Sequence, residues 1–385
     1  MLAVVLAGGY LPAESGILRA MHRVRYALAL DLVERLVAVE GVCALVLSDE
    51  ESLRQQAAAL GARVRETPSG AAFDWLQEVQ AAVRAERRDA QEAVLVLGGS
   101  AAPFLQNEQV EKVRWQVQAG EVWQNNRLSP DLVLFRPAEA LERVRSCATD
   151  NEFGHALERQ AGLSVRYFSR ELAYAFDVDT PFDAVLAAEN GQAGERLREA
   201  VKAIEHRVPV REVVELLRGD DYPDVAMIGR VHPVAAEQFS QAVGMRLRLY
   251  SEERGMKALG RIARGEVRSL VGAYAEAVGW TAFFAELSRT AQAAFMDTRV
   301  LFAHRQAMLR RVAEKGGQNK CSVIDFELSE ADRFFADLGL YEEIADPWLR
   351  ELVRAAVDAP IPILMGGQSL VSGGLGLLQA MILPE

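Results

Sequence analysis

Leu2-Ala3-Val4-Val5-Leu6-Ala7-Gly8-Gly9 opens the chain with an uninterrupted apolar run that ends in a glycine pair. Five successive apolar residues fit a strand covered on both faces, as in a parallel sheet sandwiched by helices. The glycines permit positive φ and let backbone N–H groups converge on an anion. A tight turn without a ligand is the plainer reading of the same two residues.

The pattern repeats outward from this stretch. Short apolar runs at 42–47, 62–65, 93–97, 131–135 and 164–168 read as strands. Helical spacing fills 28–39, 51–60 and 73–88, the second of these closed by Gly61. The expected fold is α/β: a mostly parallel, Rossmann-like sheet with helices on both faces, followed by a mainly α-helical C-terminal domain. Ligands of such sheets lie at the carboxyl ends of the strands.

Past about residue 190 strand signals nearly vanish. Residues 195–205 and 210–218 read as helices, and 220–224 as a linker or turn. From 233 to 313 the pattern is almost all helix, Gly316–Asn319 is a turn, and 330–356 is a helical pair broken near Pro347. Residues 359–384 carry no charge, which by length permits a membrane-associated segment. Its glycine clusters, polar residues and prolines favour a buried loop and helix.

Bulk properties narrow the classes. A chain of 385 residues is expected to hold two domains. A net charge of −11 argues against nucleic acid as a general partner. Cys43, Cys147 and Cys321 sit far apart, with no disulfide framework or zinc spacing, and a cytoplasmic setting is expected. The apolar N-terminus lacks a basic leader and reads as a strand. The five histidines show no metal spacing; His304 reads as packed and His232-Pro233 as a helix start. The five tryptophans read as packing residues.

Leu6-Ala7-Gly8-Gly9 at the N-terminus, residues 27–36 (ALALDLVERL), 94–105 (VLVLGGSAAPFL) and 176–184 (FDVDTPFDA) occur in the order found in the MobA-like nucleotidyltransferases. Over residues 1–190 the chain resembles that family, which includes the molybdenum-cofactor guanylyltransferases. The resemblance implies transfer of NMP from an NTP to a phosphorylated small molecule, with release of pyrophosphate. It implies nucleotide contacts from Leu6, Ala7, Gly8, Gly9 and Gly70, and Mg²⁺ on Asp179, with Asp177 and Asp179 as catalytic carboxylates. Such chemistry rests on positioning phosphates and neutralising their charge. Residues 191–230 are then a helical linker, and 231–385 a helical domain whose role the sequence does not reveal, with a homodimer as one use.

The chain departs from the family at two places. The basic signature loop is replaced by Tyr10-Leu11-Pro12-Ala13-Glu14, and basic residues first come at Arg19, Arg23 and Arg25. These arginines either take over the phosphate contacts or face solvent on a helix. No carboxylate lies between Glu92 and Glu108, where the family holds metal after its central strand. Asp177 and Asp179, at i and i+2 of an extended segment, point the same way; Asp179 either binds the cation or caps the helix that Thr180-Pro181 opens. Gly70 precedes a helix and serves equally well as a plain turn. Two functions follow: a nucleotidyltransferase, or a catalytically inactive nucleotide- or ligand-binding regulatory protein on the same fold.

Overall fold

The computed structural model describes residues 1–9, 15–70, 73–127, 130–147, 150–219, 221–257, 259–315, 328–366, 370–371 and 373–383. The chain forms two compact units. One comprises Met1–Val178 with Gly191–Ala203, the other Asp179–Asn190 with Ile204–Glu385.

The first unit is built on β1 (Leu2–Leu6), β2 (Cys43–Ser48), β3 (Arg63–Glu66), β4 (Val94–Gly98), β5 (Glu121–Gln124), β6 (Leu132–Arg136) and β7 (Ser164–Tyr167). They form one sheet in the order β3-β2-β1-β4-β6-β5-β7. β6 runs antiparallel to both its neighbours, and every other pair is parallel. Alternate residues feed two cores. Ala3, Val5, Val46 and Leu95 pack with Leu32 and Leu36 of the helix Gly16–Ala38 on one face. Leu2, Val4, Leu45 and Val96 pack with Val79 and Val83 of the helix Trp75–Glu86 on the other. This two-sided burial is why the strands read as continuous apolar runs. β5 escaped the sequence reading because Glu121-Val122-Trp123-Gln124 alternates in burial and carries a charge.

A buried carboxylate joins sequence-distant parts of this unit. Asp31, 5% exposed, accepts from the backbone N–H of Leu197 at 3.0 Å and from Arg196 Nη1 at 3.1 Å. It thereby caps the helix Glu195–Lys202 from outside, with Gly194 as the N-cap. A Cβ on Gly194 would collide with Asp31 Oδ2. A carboxylate at a helix N-terminus meets unsatisfied N–H groups and the positive end of the dipole.

Helices supply most of the described residues of the second unit, as expected. At its centre, however, is a parallel sheet that the sequence reading missed. β8 (Asp224–Gly229), β9 (Arg246–Ser251), β10 (Ala293–Asp297) and β11 (Ile363–Gly366) lie in the order β11-β10-β8-β9. The strands are short, and Ala and Met stand where β-branched residues would have announced them. The uncharged C-terminal stretch supplies β11 and the helix Gly373–Ile382. Among the described residues no helix is long and apolar enough to cross a membrane. The expected turn at Gly316–Asn319 and residues Asp220, Cys321, Gly367, Gln368, Ser369 and Ser372 lie outside the described residues. His232 does start a helix: its Nδ1 accepts from Ala235 N at 3.2 Å. Trp115, by contrast, is 76% exposed and carries Arg114 over its ring; it is not a packing residue.

Two of the buried acids of this unit, Asp183 and Asp337, are pushed toward their neutral forms. Asp183 is fully buried and shares a capping box with Thr180 in the helix Pro181–Ala188. Its Oδ2 accepts from Thr180 N at 2.9 Å, while among the described residues its Oδ1 makes no hydrogen bond. Burial first, and the charge of Asp179 second, push its carboxyl up to about 7. Burial and Asp183 likewise hold Asp337 well above the carboxylate range.

Two stability outcomes are expected. Asp31→Ala leaves the N–H of Leu197 and part of the Arg196 guanidinium unpaired and costs about 2–3 kcal/mol in urea denaturation. A loss under 0.5 kcal/mol would show that this cap does not stabilise the unit. Asp183 stabilises the fold fully below its unfolded value near 3.8, and that contribution is lost as pH rises to about 7. Asp183→Asn cannot ionise, so from pH 5 to pH 8 it should lose less stability than the parent, by roughly 2 kcal/mol. Parallel pH profiles would refute an elevated Asp183.

Candidate functional site

In the first unit the chain lays down β1, β2 and β3 in one direction across the sheet. It then returns to place β4 on the opposite side of β1. The direction of winding reverses between β1 and β4. At such a reversal the connections leave on opposite faces and open a crevice at the carboxyl ends of the strands. Leu6-Ala7-Gly8-Gly9 leaves the end of β1, and Gly98-Gly99-Ser100 leaves the end of β4. The two glycine segments that stood out in the sequence are thus neighbours.

Hydrogen bonds tie these ends together beyond the strands. Gly99 N donates to Leu6 O at 2.8 Å, and Ala7 N to Leu47 O at 3.1 Å. A Cβ on Gly99 would lie 2.9 Å from Ala7 Cβ and 3.0 Å from Ala29 Cβ, so the close approach requires glycine. Arg35 of the first helix donates to Pro103 O at 2.5 Å and secures the far side of the same loop.

The closing segment straps this loop. Ala101 and Asp177 form an isolated antiparallel bridge. Ala102 N donates to Phe176 O and Val178 N to Ser100 O, both at 3.2 Å. Asp177 therefore sits opposite Ala101, in the loop where the family resemblance would have placed another carboxylate. Asp177 and Asp179 are both partly buried. Asp179 is not the helix cap: Thr180 is, and Asp179 contributes its N–H to Asp183 Oδ2 at 3.2 Å. Among the described residues no three His, Cys, Asp or Glu side chains group closely enough to hold a metal ion.

The other expected contacts are more dispersed. Arg19, Arg23 and Arg25 all lie in the helix Gly16–Ala38, which Ser15 caps by accepting from Leu18 N. Arg19 and Arg23 are exposed and four residues apart, hence on one face. Arg25 is partly buried and falls on another face. Gly70 is exposed, at φ +61°, and its carbonyl accepts from Phe73 N. Ala71 and residues 10–14 lie outside the described residues.

Asp49 is the residue that the sequence reading overlooked. It follows β2 at the carboxyl end of the sheet, and its Oδ1 accepts from Gly9 N at 2.9 Å. A Cβ on Gly8 would collide with that same oxygen. The turn is held from behind: Ser48 Oγ accepts from Glu50 N at 3.0 Å, and Ser48 O from Arg54 Nη1 at 2.9 Å. Gly9 itself is exposed at φ +71°. A backbone N–H at the carboxyl end of the sheet thus donates to a carboxylate oxygen supplied by the protein. The signal in the sequence was Ser48-Asp49-Glu50, a carboxylate placed directly after a parallel strand.

No protein-family model and no curated protein sequence matches the chain. Among solved structures it is similar to a putative nucleotide-diphospho-sugar transferase from Desulfovibrio desulfuricans G20. That match has 16% identity and a TM-score of 0.40, and covers 52% of this chain and 96% of the other. It is similar to a cytidylyltransferase from Leptospira borgpetersenii at 18% identity and TM-score 0.34, covering 52% and 92%. A nucleotidyl transferase from Methanothermobacter gives 13% identity and TM-score 0.31, covering 45% and 88%. Each of these matches spans about half of this chain.

Proposed function

We propose that this chain is a nucleotidyltransferase-like protein of MobA-like type that binds an NTP and a phosphorylated small-molecule acceptor. The observation that carries this reading is the meeting of two glycine segments at the β1/β4 reversal, with a backbone N–H of one already holding a carboxylate oxygen. An oxygen of a phosphate has the same hydrogen-bonding requirement as that carboxylate. Leu6, Ala7, Gly8 and Gly9 form the backbone part of the nucleotide site. Arg19, Arg23 and Arg25 are the candidate phosphate cations, and Gly70 the candidate base contact.

In this reading the chemistry is in-line attack of an acceptor phosphate oxygen on the α-phosphorus of the NTP. The bond to the β-phosphate oxygen breaks, and pyrophosphate leaves with that electron pair. Asp177 and Asp179 are the carboxylates assigned to catalysis, and Asp179 to Mg²⁺. Thr180 does the capping, so Asp179 is not committed to that role. Mg²⁺ ordinarily takes one or two carboxylates and completes its shell with water and phosphate oxygens, which suits so sparse a donor set. Bound there, it would neutralise charge on the triphosphate.

A second reading is favoured by the loop after β4, where Gly98, Gly99 and Ser100 stand in place of a metal carboxylate. The protein would then bind nucleotide, or another ligand, as a regulatory component without turnover, since a fold outlasts its chemistry.

Calorimetry and a pyrophosphate-release assay decide between them, using ATP, GTP, CTP and UTP with Mg²⁺ and a panel of sugar and alcohol phosphates. Transfer predicts turnover with at least one pair, falling about 100-fold or more in Asp179→Asn. Binding without turnover in any pairing would select the regulatory reading. Absence of binding by every nucleotide to the folded protein would overturn both.

A further inference from the structure

We infer that Asp49 is an internal occupant of the anion site at Gly8–Gly9, and that nucleotide phosphates bind there only by displacing it. The inference rests on the nucleotide reading above and names the residue that governs affinity in it.

Three features of the geometry converge. The carboxylate sits on the N–H that leads the glycine loop, at 2.9 Å from Gly9 N. Gly8 makes room for it, because a Cβ at that position would overlap Asp49 Oδ1. And the side chain projects from a fixed base: the backbone on either side is held by Ser48 Oγ and by Arg54. Asp49 itself is only partly buried, so its carboxylate can turn outward into water. Among the described residues a single hydrogen bond, to a neutral N–H, holds it, a contact that a multiply charged phosphate can outcompete.

Displacement has two costs for an incoming phosphate. The bond from Gly9 N must be exchanged, and the expelled carboxylate stays tethered a few ångströms away. Two like charges so close repel, and more strongly where protein excludes water. Asp49 therefore lowers affinity for every polyanion at this loop. A ligand whose contacting group is a neutral acceptor must break the same bond but is spared the repulsion. Selection among anions would then fall to groups that reward displacement, such as a metal-neutralised triphosphate over free phosphate.

Asp49→Asn keeps an acceptor oxygen for Gly9 and removes the charge, while Asp49→Ala removes both. The test titrates the parent and both variants with magnesium-free inorganic tripolyphosphate, and then with each NTP and Mg²⁺. Asp49→Asn should bind tripolyphosphate at least about tenfold more tightly than the parent. Amide hydrogen exchange at Gly9 should speed up in Asp49→Ala and stay slow in Asp49→Asn, which shows that the contact exists in solution. Equal tripolyphosphate affinity in parent and Asp49→Asn overturns the inference. If NTPs still bind in that case, the nucleotide reading stands without it. If neither tripolyphosphate nor any NTP binds to any of the three proteins, both fall together. Gly9 exchange unchanged in Asp49→Ala also overturns the inference, because the carboxylate is then not on the loop.

Discussion

The hydrogen bond from Gly99 N to Leu6 O, 2.8 Å long, joins the ends of β1 and β4 at the place where the sheet changes its direction of growth. The arrangement of the proposed site in the first unit depends on that adjacency. It sets the two glycine segments side by side. It requires a residue without a side chain at 99, because Ala7 and Ala29 crowd the position. It also fixes the loop that residues 176–178 strap down through the Ala101–Asp177 bridge.

A second constraint recurs at a smaller scale. Carboxylates in this chain repeatedly satisfy backbone N–H groups and do not pair only with cations. Asp31 caps a helix from a distant part of the sequence, Asp183 accepts from the N–H groups of Asp179 and Thr180, and Asp49 accepts from Gly9. The environments differ, and so do the consequences. Asp31 has the Arg196 guanidinium beside it and holds two segments together. Among the described residues Asp183 has no cation bonded to it, and burial drives it toward its neutral form. Asp49 stands at the carboxyl end of β2, partly buried, on the N–H of Gly9.

Much of the first unit was legible because burial on both faces of a parallel sheet writes itself as short apolar runs, as in β1, β2 and β4. The Gly8–Gly9 loop was legible for the same reason, since it follows such a run directly. β5 was not, because a partly exposed strand with Glu121 and Gln124 lacks that signature. The sheet of the second unit hid in its composition: Ala293-Ala294-Phe295-Met296-Asp297 has no residue that prefers strand for steric reasons other than Phe295. Only the register with β8 and β11 makes it a strand. Asp49 was overlooked for another reason. Its place directly after β2 was a signal, but its meaning arises from a contact across 40 residues.

The most direct measurement is amide chemical-shift mapping of the 42.3 kDa chain with a non-hydrolysable nucleoside triphosphate. Binding at the β1/β4 reversal predicts the largest perturbations at Gly8, Gly9, Gly98 and Gly99, with β3 and β7 at the sheet edges little changed. Saturable binding whose perturbations leave those four glycines unmoved would contradict it.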